Sequence, residues 1–451
     1  MFRRSLAGII ALSASFVALS AGSQRDDAVF GQIDAIVKSL SEMTGFTEEH
    51  PVPYGRMNKR QLRSFLTKRI KKTLKPEEIY ADELSLKMFG LVPQDFNLRQ
   101  STIDLLTEQA AAFYDYDEKK LFLLEGASLE DQTTTLAHEL SHALADQHFD
   151  LNRFMDGSPT NDDEDLAHSA VVEGQASWLM IAYALKQAGQ PPVPTEEALK
   201  SVVDSSGSSL SDYPVLRHAP LYIQQSLMFP YADGTKFFDA VYKKMGRRAF
   251  SAVFTDPPSG SAQIMHPERY FEHRNPAAPD LHALSTGKQM KEIAEGSVGE
   301  FDHKMLLRQY LGEESAKELA PHLLGGQFRI LVQGKEREPL LEYSSQWDSE
   351  TTAAEYFLAY QKVLERKWKN CDPSVSTVSL FAGTGDNGHF VLRLSGDTVS
   401  SVEGLEDSEE WERLKASARV ALGFKAFHWL RGMCFPTLAT AEVSVARSVG
   451  A

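Results

Sequence analysis

The segment TTLAHELSHALADQHFDL, residues 134–151, contains the pattern His-Glu-x-x-His at His138, Glu139 and His142. Side chains four residues apart lie one turn apart on an α-helix, so both imidazoles can reach one ion at about 2.0 Å. Glu139 points slightly aside from that ion, where its carboxylate can accept a proton from water. The pattern therefore predicts a helix with two zinc ligands and a general base.

The residues around this pattern separate into two faces at the period of an α-helix. Leucines occupy one face, at positions 136, 140 and 144, and the other face carries His138, Glu139, His142 and Asp146. A metal site in a protein interior needs several polar side chains on one face of a buried helix. Asp146 either fixes an imidazole tautomer or is a solvated surface aspartate. The opposed interpretation is a surface helix with two incidental histidines.

A zinc site needs at least one further protein ligand, and three residues are available. His148 gives HELSHALADQH, the spacing of metzincins, but Ala145 stands where that family has glycine. On a continued helix His148 points about 120° away from His142, and alanine favours continuation. Glu173 lies in AHSAVVEGQASWLMIAYAL, a segment apolar enough to be a buried helix. His168 begins the same segment, about 140° around the helix from Glu173.

Glu173 is the strongest of these three candidates. A carboxylate in such apolar surroundings is costly unless it meets a cation or a metal. Since Glu173 and His168 cannot face one ion together, we expect only one of them in the site. An ion pair between Glu173 and a structural arginine remains the alternative.

The N-terminus MFRRSLAGIIALSASFVALSAGSQRDD predicts a signal peptide over residues 1–23 and hence export. Arg3 and Arg4 precede an apolar stretch that serines interrupt, so it is too short for the roughly 20 apolar residues of a membrane span. We expect no span after cleavage.

The net charge of −15 argues against nucleic acid as a partner. The basic run 58–75 has leucines and isoleucine at helical spacing and predicts an amphipathic helix with a solvated basic face.

Composition changes along the chain indicate an α+β fold in several regions. Residues 24–110 are predicted to be mostly helical, and AFYDYDEKKLFLLEG, residues 112–126, predicts a β-hairpin. The predicted catalytic domain spans 111–322. Strand patterns such as QFRILVQ and GHFVLRLSG alternate with helical ones after it, which predicts a smaller α+β domain over 323–451. Whether 24–110 is a propeptide is open at this point.

The sequence has two cysteines, Cys371 and Cys434, and both lie near the C-terminus. An even count in an exported chain permits a disulfide, and two free thiols are equally consistent with the pattern. Neither belongs to a CxxC pair, so cysteine ligation of a metal is not expected.

The segment HELSHALAD resembles the active-site helix of thermolysin-like zinc peptidases, the gluzincins, whose third ligand is a glutamate on a later helix. The resemblance implies a zincin-like domain with zinc on His138, His142 and Glu173, and with Glu139 as general base. The spacing departs from that family, since 30 residues separate His142 from Glu173, more than in thermolysin itself.

More of the chain, roughly 90–275, is similar to a group of uncharacterised exported bacterial and archaeal proteins of metallopeptidase type. The similar stretches are AAFYDYDEKKLFLLE, TTLAHELSHALADQHFDL, VVEGQASWL, FPYADGTKF and PPSGSAQIMHPERY. Zinc peptidases usually add a side chain that stabilises the oxyanion. Tyr231 and His266 are the candidates for that role, against packing for the tyrosine and a turn for the histidine.

These patterns together predict an exported zinc-dependent metallohydrolase, a peptidase that acts on peptide or protein substrates through Glu139. The alternative is an exported binding or chaperone-like protein whose zinc site is structural or vestigial. Closed structural sites tend to have four protein ligands, and the sequence offers three convincing ones.

Overall fold

The computed structural model describes residues 31–125, 129–155, 161–200, 213–281, 290–332, 339–406 and 408–420. The predicted signal peptide and Cys434 lie outside these residues, and Cys371 is partly exposed. The fold is mixed α+β, as the sequence predicts. None of the described helices is long and apolar enough to cross a membrane.

The first part of the chain surrounds a three-stranded sheet with helices. Its elements up to the second strand are α1 (Ile33–Thr44), β1 (Tyr54–Met57), α2 (Lys59–Thr73), α3 (Pro76–Phe89), α4 (Leu98–Gln109) and β2 (Ala112–Asp115). They are followed by β3 (Lys120–Leu124), α5 (Leu129–Phe149), α6 (Leu151–Met155), α7 (Asp162–Gln187), α8 (Pro214–His218) and α9 (Leu221–Met245). Three short helices follow α9, namely α10 (Ala249–Thr255), α11 (Ser261–Met265) and α12 (Pro267–Phe271).

The predicted hairpin forms the centre and one edge of the small sheet, whose order is β1-β3-β2. β2 and β3 pair antiparallel, with Tyr114 opposite Leu121, which confirms the hairpin. β1 pairs parallel to β3, with Tyr54 opposite Leu121. A strand from the predicted helical region 24–110 therefore completes this sheet, and that region is built into the same unit as the hairpin.

The second part of the chain is a seven-stranded antiparallel sheet with helices packed on it. Its elements are β4 (Lys291–Val298), α13 (Glu300–Leu311), α14 (Glu313–Leu319), β5 (Leu323–Val332), β6 (Leu340–Trp347), α15 (Glu350–Lys367), β7 (Asp372–Ser376), β8 (Leu380–Gly385), β9 (Gly388–Ser395), β10 (Thr398–Leu405) and α16 (Ser408–Val420). The strand order is β4-β5-β6-β10-β9-β8-β7. α15 packs against β6, β9 and β10.

The predicted boundary between residues 322 and 323 falls inside this sheet. β4 is paired antiparallel with β5 along its length, from Lys291 opposite Val332 to Val298 opposite Gly326. The sheet unit therefore begins at Lys291. The sequence KEIAEGSV hides this strand because charged and small residues occupy most of its positions, although its last six residues alternate between part-exposed and buried.

The main hydrophobic core is continuous across all the predicted regions. It joins apolar side chains of α1, α5, α7 and α9 to those of the seven-stranded sheet and α15. A smaller cluster lies between α2, α4 and the hairpin. Leu62, Leu66 and Ile70 of α2 are buried in that cluster, which confirms the predicted amphipathic helix. Removal of residues 31–110 would therefore expose apolar surface on the hairpin and on α5.

Helices α7 and α9 cross with their backbones in direct contact. A Cβ atom added at Gly234 would lie 2.3 Å from the carbonyl oxygen of Ala170. A Cβ atom added at Gly174 would lie 2.2 Å from backbone atoms of Gly234. Only glycine permits this distance, because real Cβ atoms do not come so close to backbone. The crossing fixes the position of Glu173, the neighbour of Gly174.

We expect Gly234→Ala to lower the free energy of unfolding by roughly 1–3 kcal/mol, the usual cost of overpacking a core. Alanine gains up to about 1 kcal/mol of helix propensity over glycine, but the clash is with backbone, which cannot rotate away. Denaturant unfolding measures the difference. Lys236→Ala, at an exposed position of the same helix, is the control. A Gly234→Ala variant as stable as the unaltered protein would show that the two helix backbones leave room for a Cβ atom.

Candidate metal centre

Helix α5 carries the His-Glu-x-x-His pattern on its buried polar face. His138, Glu139 and His142 are each 1% exposed or less, and Asp146 is 5% exposed. The leucines of the opposite face, Leu136, Leu140 and Leu144, are buried in the main core. The helix has core on one side and enclosed polar groups on the other. This is the two-faced buried helix that the sequence predicts.

Three donor atoms from α5 and α7 converge on one point. The Nε2 atoms of His138 and His142 are 3.1 Å apart. Oε2 of Glu173 lies 3.1 Å from Nε2 of His138 and 3.5 Å from Nε2 of His142. Two ligands that each lie about 2.0–2.1 Å from a tetrahedral zinc ion are about 3.3 Å apart, so the triangle has the size that zinc requires. Within the described ranges, no other group of three such side chains meets the same test.

The environment of Glu173 favours its ionised form. Burial alone raises the pKa of this carboxyl, but the neighbouring His142 and His138 lower it, and the net pKa is about 2. Oε1 of Glu173 and Nδ1 of His138 are buried and have no hydrogen-bond partner among the described residues. A carboxylate that is held ionised beside two imidazole nitrogens, with buried polar atoms left over, is a donor set that fits a cation.

Glu139 lies beside this triangle without belonging to it. Its Oε2 accepts a hydrogen bond of 2.9 Å from the backbone N–H of Tyr114 on β2. This bond fixes the orientation of the carboxylate and ties the edge strand to the helix. An oriented carboxylate next to a metal position, but outside the ligand set, is the arrangement that a general base needs.

Asp146 binds the hairpin rather than an imidazole. Its Oδ2 accepts a hydrogen bond of 2.9 Å from the Tyr114 hydroxyl. Its Oδ1 accepts bonds of 2.8 Å from Nζ of Lys119 and from the backbone N–H of Leu151. Neither interpretation from the sequence is right, since Asp146 is buried and its hydrogen bonds hold β2, the hairpin turn and the start of α6 against α5.

The two histidines considered as third ligands lie elsewhere. α5 continues without a break to Phe149, and the His148 ring bonds the carbonyl oxygen of Thr47 at 2.9 Å and packs on Phe46. Nδ1 of His168 bonds the carbonyl oxygen of Phe154 at 3.1 Å. The helix therefore continues through Ala145 as expected, and both rings are turned away from the triangle.

The two candidates for an oxyanion group have different positions. The half-buried ring of Tyr231 stacks on the ring of His138, with centroids 6.1 Å apart and planes inclined by 25°. Nε2 of His266 bonds Oε1 of Glu300 at 2.7 Å, in a cluster with Arg269. The structure therefore leaves Tyr231 at the site, whereas His266 belongs to a separate ion-pair cluster.

Tyr116, which follows β2, is a site residue that sequence reasoning missed. Its ring lies edge-on to the ring of His142, with centroids 6.1 Å apart. Burial raises the pKa of its hydroxyl well above the usual value, and the charges of Glu173 and Glu139 raise it further. The sequence carried a hint of this, since Tyr116 stands two residues after Tyr114 in the alternating pattern of the predicted hairpin.

Comparisons with known proteins do not assign the chain to a family. No protein-family model matches it, and neither the curated proteins nor the solved structures include a match. The zincin resemblance thus stays a prediction from the sequence.

We expect Glu173→Ala to weaken zinc binding by more than about 100-fold, beyond the 10–100-fold that loss of an outer-shell partner costs. His148→Ala should bind zinc as the unaltered protein does, because its ring contacts Thr47 and Phe46. Titration against a competing chelator measures both affinities. Glu173→Gln, which keeps the side-chain volume, controls for collapse of the buried site. If His148→Ala lost zinc and Glu173→Ala kept it, the ligand set would be wrong.

Proposed function

We propose that this protein is an exported zinc-dependent metallohydrolase that cleaves peptide bonds. The observation that carries the proposal is the buried triangle of His138, His142 and Glu173 with Glu139 oriented beside it. Two imidazoles and one carboxylate suit zinc, and among the described residues no fourth protein ligand joins them. Three protein ligands and one open position are typical of catalytic zinc.

The protein's own residues supply binding, orientation and proton transfer. A bound zinc ion would act as a Lewis acid and make water nucleophilic at neutral pH. Glu139 accepts the proton of the attacking water and then delivers it to the departing amine. The Tyr114 N–H holds this carboxylate in one orientation, so the group does not need to reorganise during the reaction.

The position of β2 supports a peptide as substrate. β2 is an edge strand of the three-stranded sheet, and its Tyr114 N–H points away from β3 towards Glu139. Edge strands commonly bind peptides through backbone hydrogen bonds, and a peptide bound next to β2 would pass the general base, although the Tyr114 N–H itself is already bonded to Glu139. The acidic net charge of −15 favours neutral or basic peptides over acidic ones.

Export belongs to the same proposal and depends on the predicted signal peptide, residues 1–23. The chain's low cysteine content neither requires nor opposes an oxidising compartment. The test is whether the protein produced from the full sequence is found outside the cytoplasm with its N-terminus beginning near residue 24.

One observation favours the second candidate, a binding or chaperone-like protein with a structural metal. His138, Glu139, His142 and Glu173 are each 1% exposed or less, so the site is enclosed. Zinc content and cleavage of a mixed peptide library, measured on the same sample, separate the two functions. Stoichiometric zinc with no cleavage of any peptide would favour the structural metal.

We expect Glu139→Gln to keep zinc and the fold but to lose at least about 100-fold in turnover, the usual contribution of a general base. The glutamine oxygen can still accept the hydrogen bond of the Tyr114 N–H, so the substitution removes the basic group with little change in packing. Zinc content, the unfolding midpoint and peptide cleavage are measured together. Normal cleavage by this variant would remove Glu139 from the mechanism.

A further inference from the structure

The Tyr116 hydroxyl is buried in the proposed site without a hydrogen-bond partner. The residue is 8% exposed, and no group in the part of the chain that the structure describes bonds its Oη atom. A buried hydroxyl left unpaired costs free energy, and phenylalanine would fill the same space without that cost. Such a group is retained at a functional site when a ligand completes its hydrogen bonding.

In the same hairpin, the buried hydroxyl of Tyr114 does have a hydrogen-bond partner. Tyr114 lies on β2, two residues before Tyr116, and its hydroxyl donates to Asp146 at 2.9 Å. The two rings are in edge contact, with centroids 5.7 Å apart. The two hydroxyls therefore differ in their contacts. The Tyr114 hydroxyl is bonded to Asp146, and no described residue bonds the Tyr116 hydroxyl.

The surroundings of Tyr116 connect it to the metal centre. Its ring packs edge-on against His142, one of the candidate metal ligands. The carboxylates whose charges act most on its hydroxyl are those of Glu173, another candidate ligand, and Glu139, the candidate base. A neutral phenol is a hydrogen-bond donor, and the position beside both groups is where the reacting carbonyl of a peptide would lie.

We propose that Tyr116 is a catalytic residue whose hydroxyl donates a hydrogen bond to the carbonyl oxygen of the bound peptide. The proposal rests on the proposed function. As water attacks the carbonyl carbon, the C–O double bond opens and negative charge builds on that oxygen. Tyr116 stabilises this charge and keeps its own proton, while Glu139 carries the proton that moves. Tyr231, the other tyrosine at the site, stacks on the ring of His138.

The first test is the stability of the metal-free full-length chain. Tyr116→Phe should leave the midpoint of denaturant unfolding unchanged or raise it, because the lost hydroxyl had no partner. Tyr114→Phe, the matched control on the same hairpin, should lower the midpoint, because it removes a buried bond to Asp146. A fall for Tyr116→Phe equal to that for Tyr114→Phe would show a structural hydroxyl and overturn the proposal.

The second test is turnover of the peptide that the unaltered protein cleaves fastest in a mixed tryptic peptide library. Tyr116→Phe should keep zinc and lower kcat by about 10²–10³-fold with little change in KM, because the bond strengthens only as charge develops. Unchanged kcat in Tyr116→Phe, with an active unaltered protein, would overturn this proposal alone. An unaltered protein that holds zinc and cleaves no peptide would overturn the proposed function and this role with it.

Discussion

A carboxylate that is fully removed from water must be neutralised by a cation or by hydrogen-bond donors, and Glu173 is under that constraint. It lies in the middle of α7, a helix of mostly small and apolar residues, and is 1% exposed. The groups that face it are the imidazoles of His138 and His142. The packing of α5 against α7 holds these three side chains together and shields them from solvent.

The backbone contact between α7 and α9 fixes the place of Glu173, a candidate metal ligand, relative to the neighbouring helices. Gly174 and Gly234 let the two helices meet without intervening side chains. Glu173 is fixed directly beside this contact, on the side that faces α5. Tyr231 precedes Gly234 by one turn of α9, and its ring is stacked on His138. One tight crossing therefore orients a candidate ligand and an aromatic wall of the same site.

The hairpin and α5 form a second rigid unit, with Tyr114 at its centre. The backbone N–H of Tyr114 binds Glu139, and its hydroxyl binds Asp146, which also holds Lys119 of the hairpin turn. The same residue thus orients the candidate general base and holds β2 against α5. The N-terminal region adds to this unit, because Gln147 of α5 bonds the backbone of His50. These contacts explain why residues 31–110 are integrated with the site instead of lying apart from it.

The sequence by itself determined the local features of the site. His138, Glu139 and His142 are set on one helix face by the helical period, and the hairpin over 112–126 follows from strand alternation and its charged turn; both depend on neighbours in the chain. The tertiary structure decided which distant groups meet them. Glu173 could be favoured for its apolar neighbours, but 30 residues separate it from His142, and its distance to the two imidazoles depends on how α7 packs against α5 and α9. The unpaired hydroxyl of Tyr116 and the pairing of β4 with β5 depend on packing between distant segments, which the local pattern of either stretch does not specify.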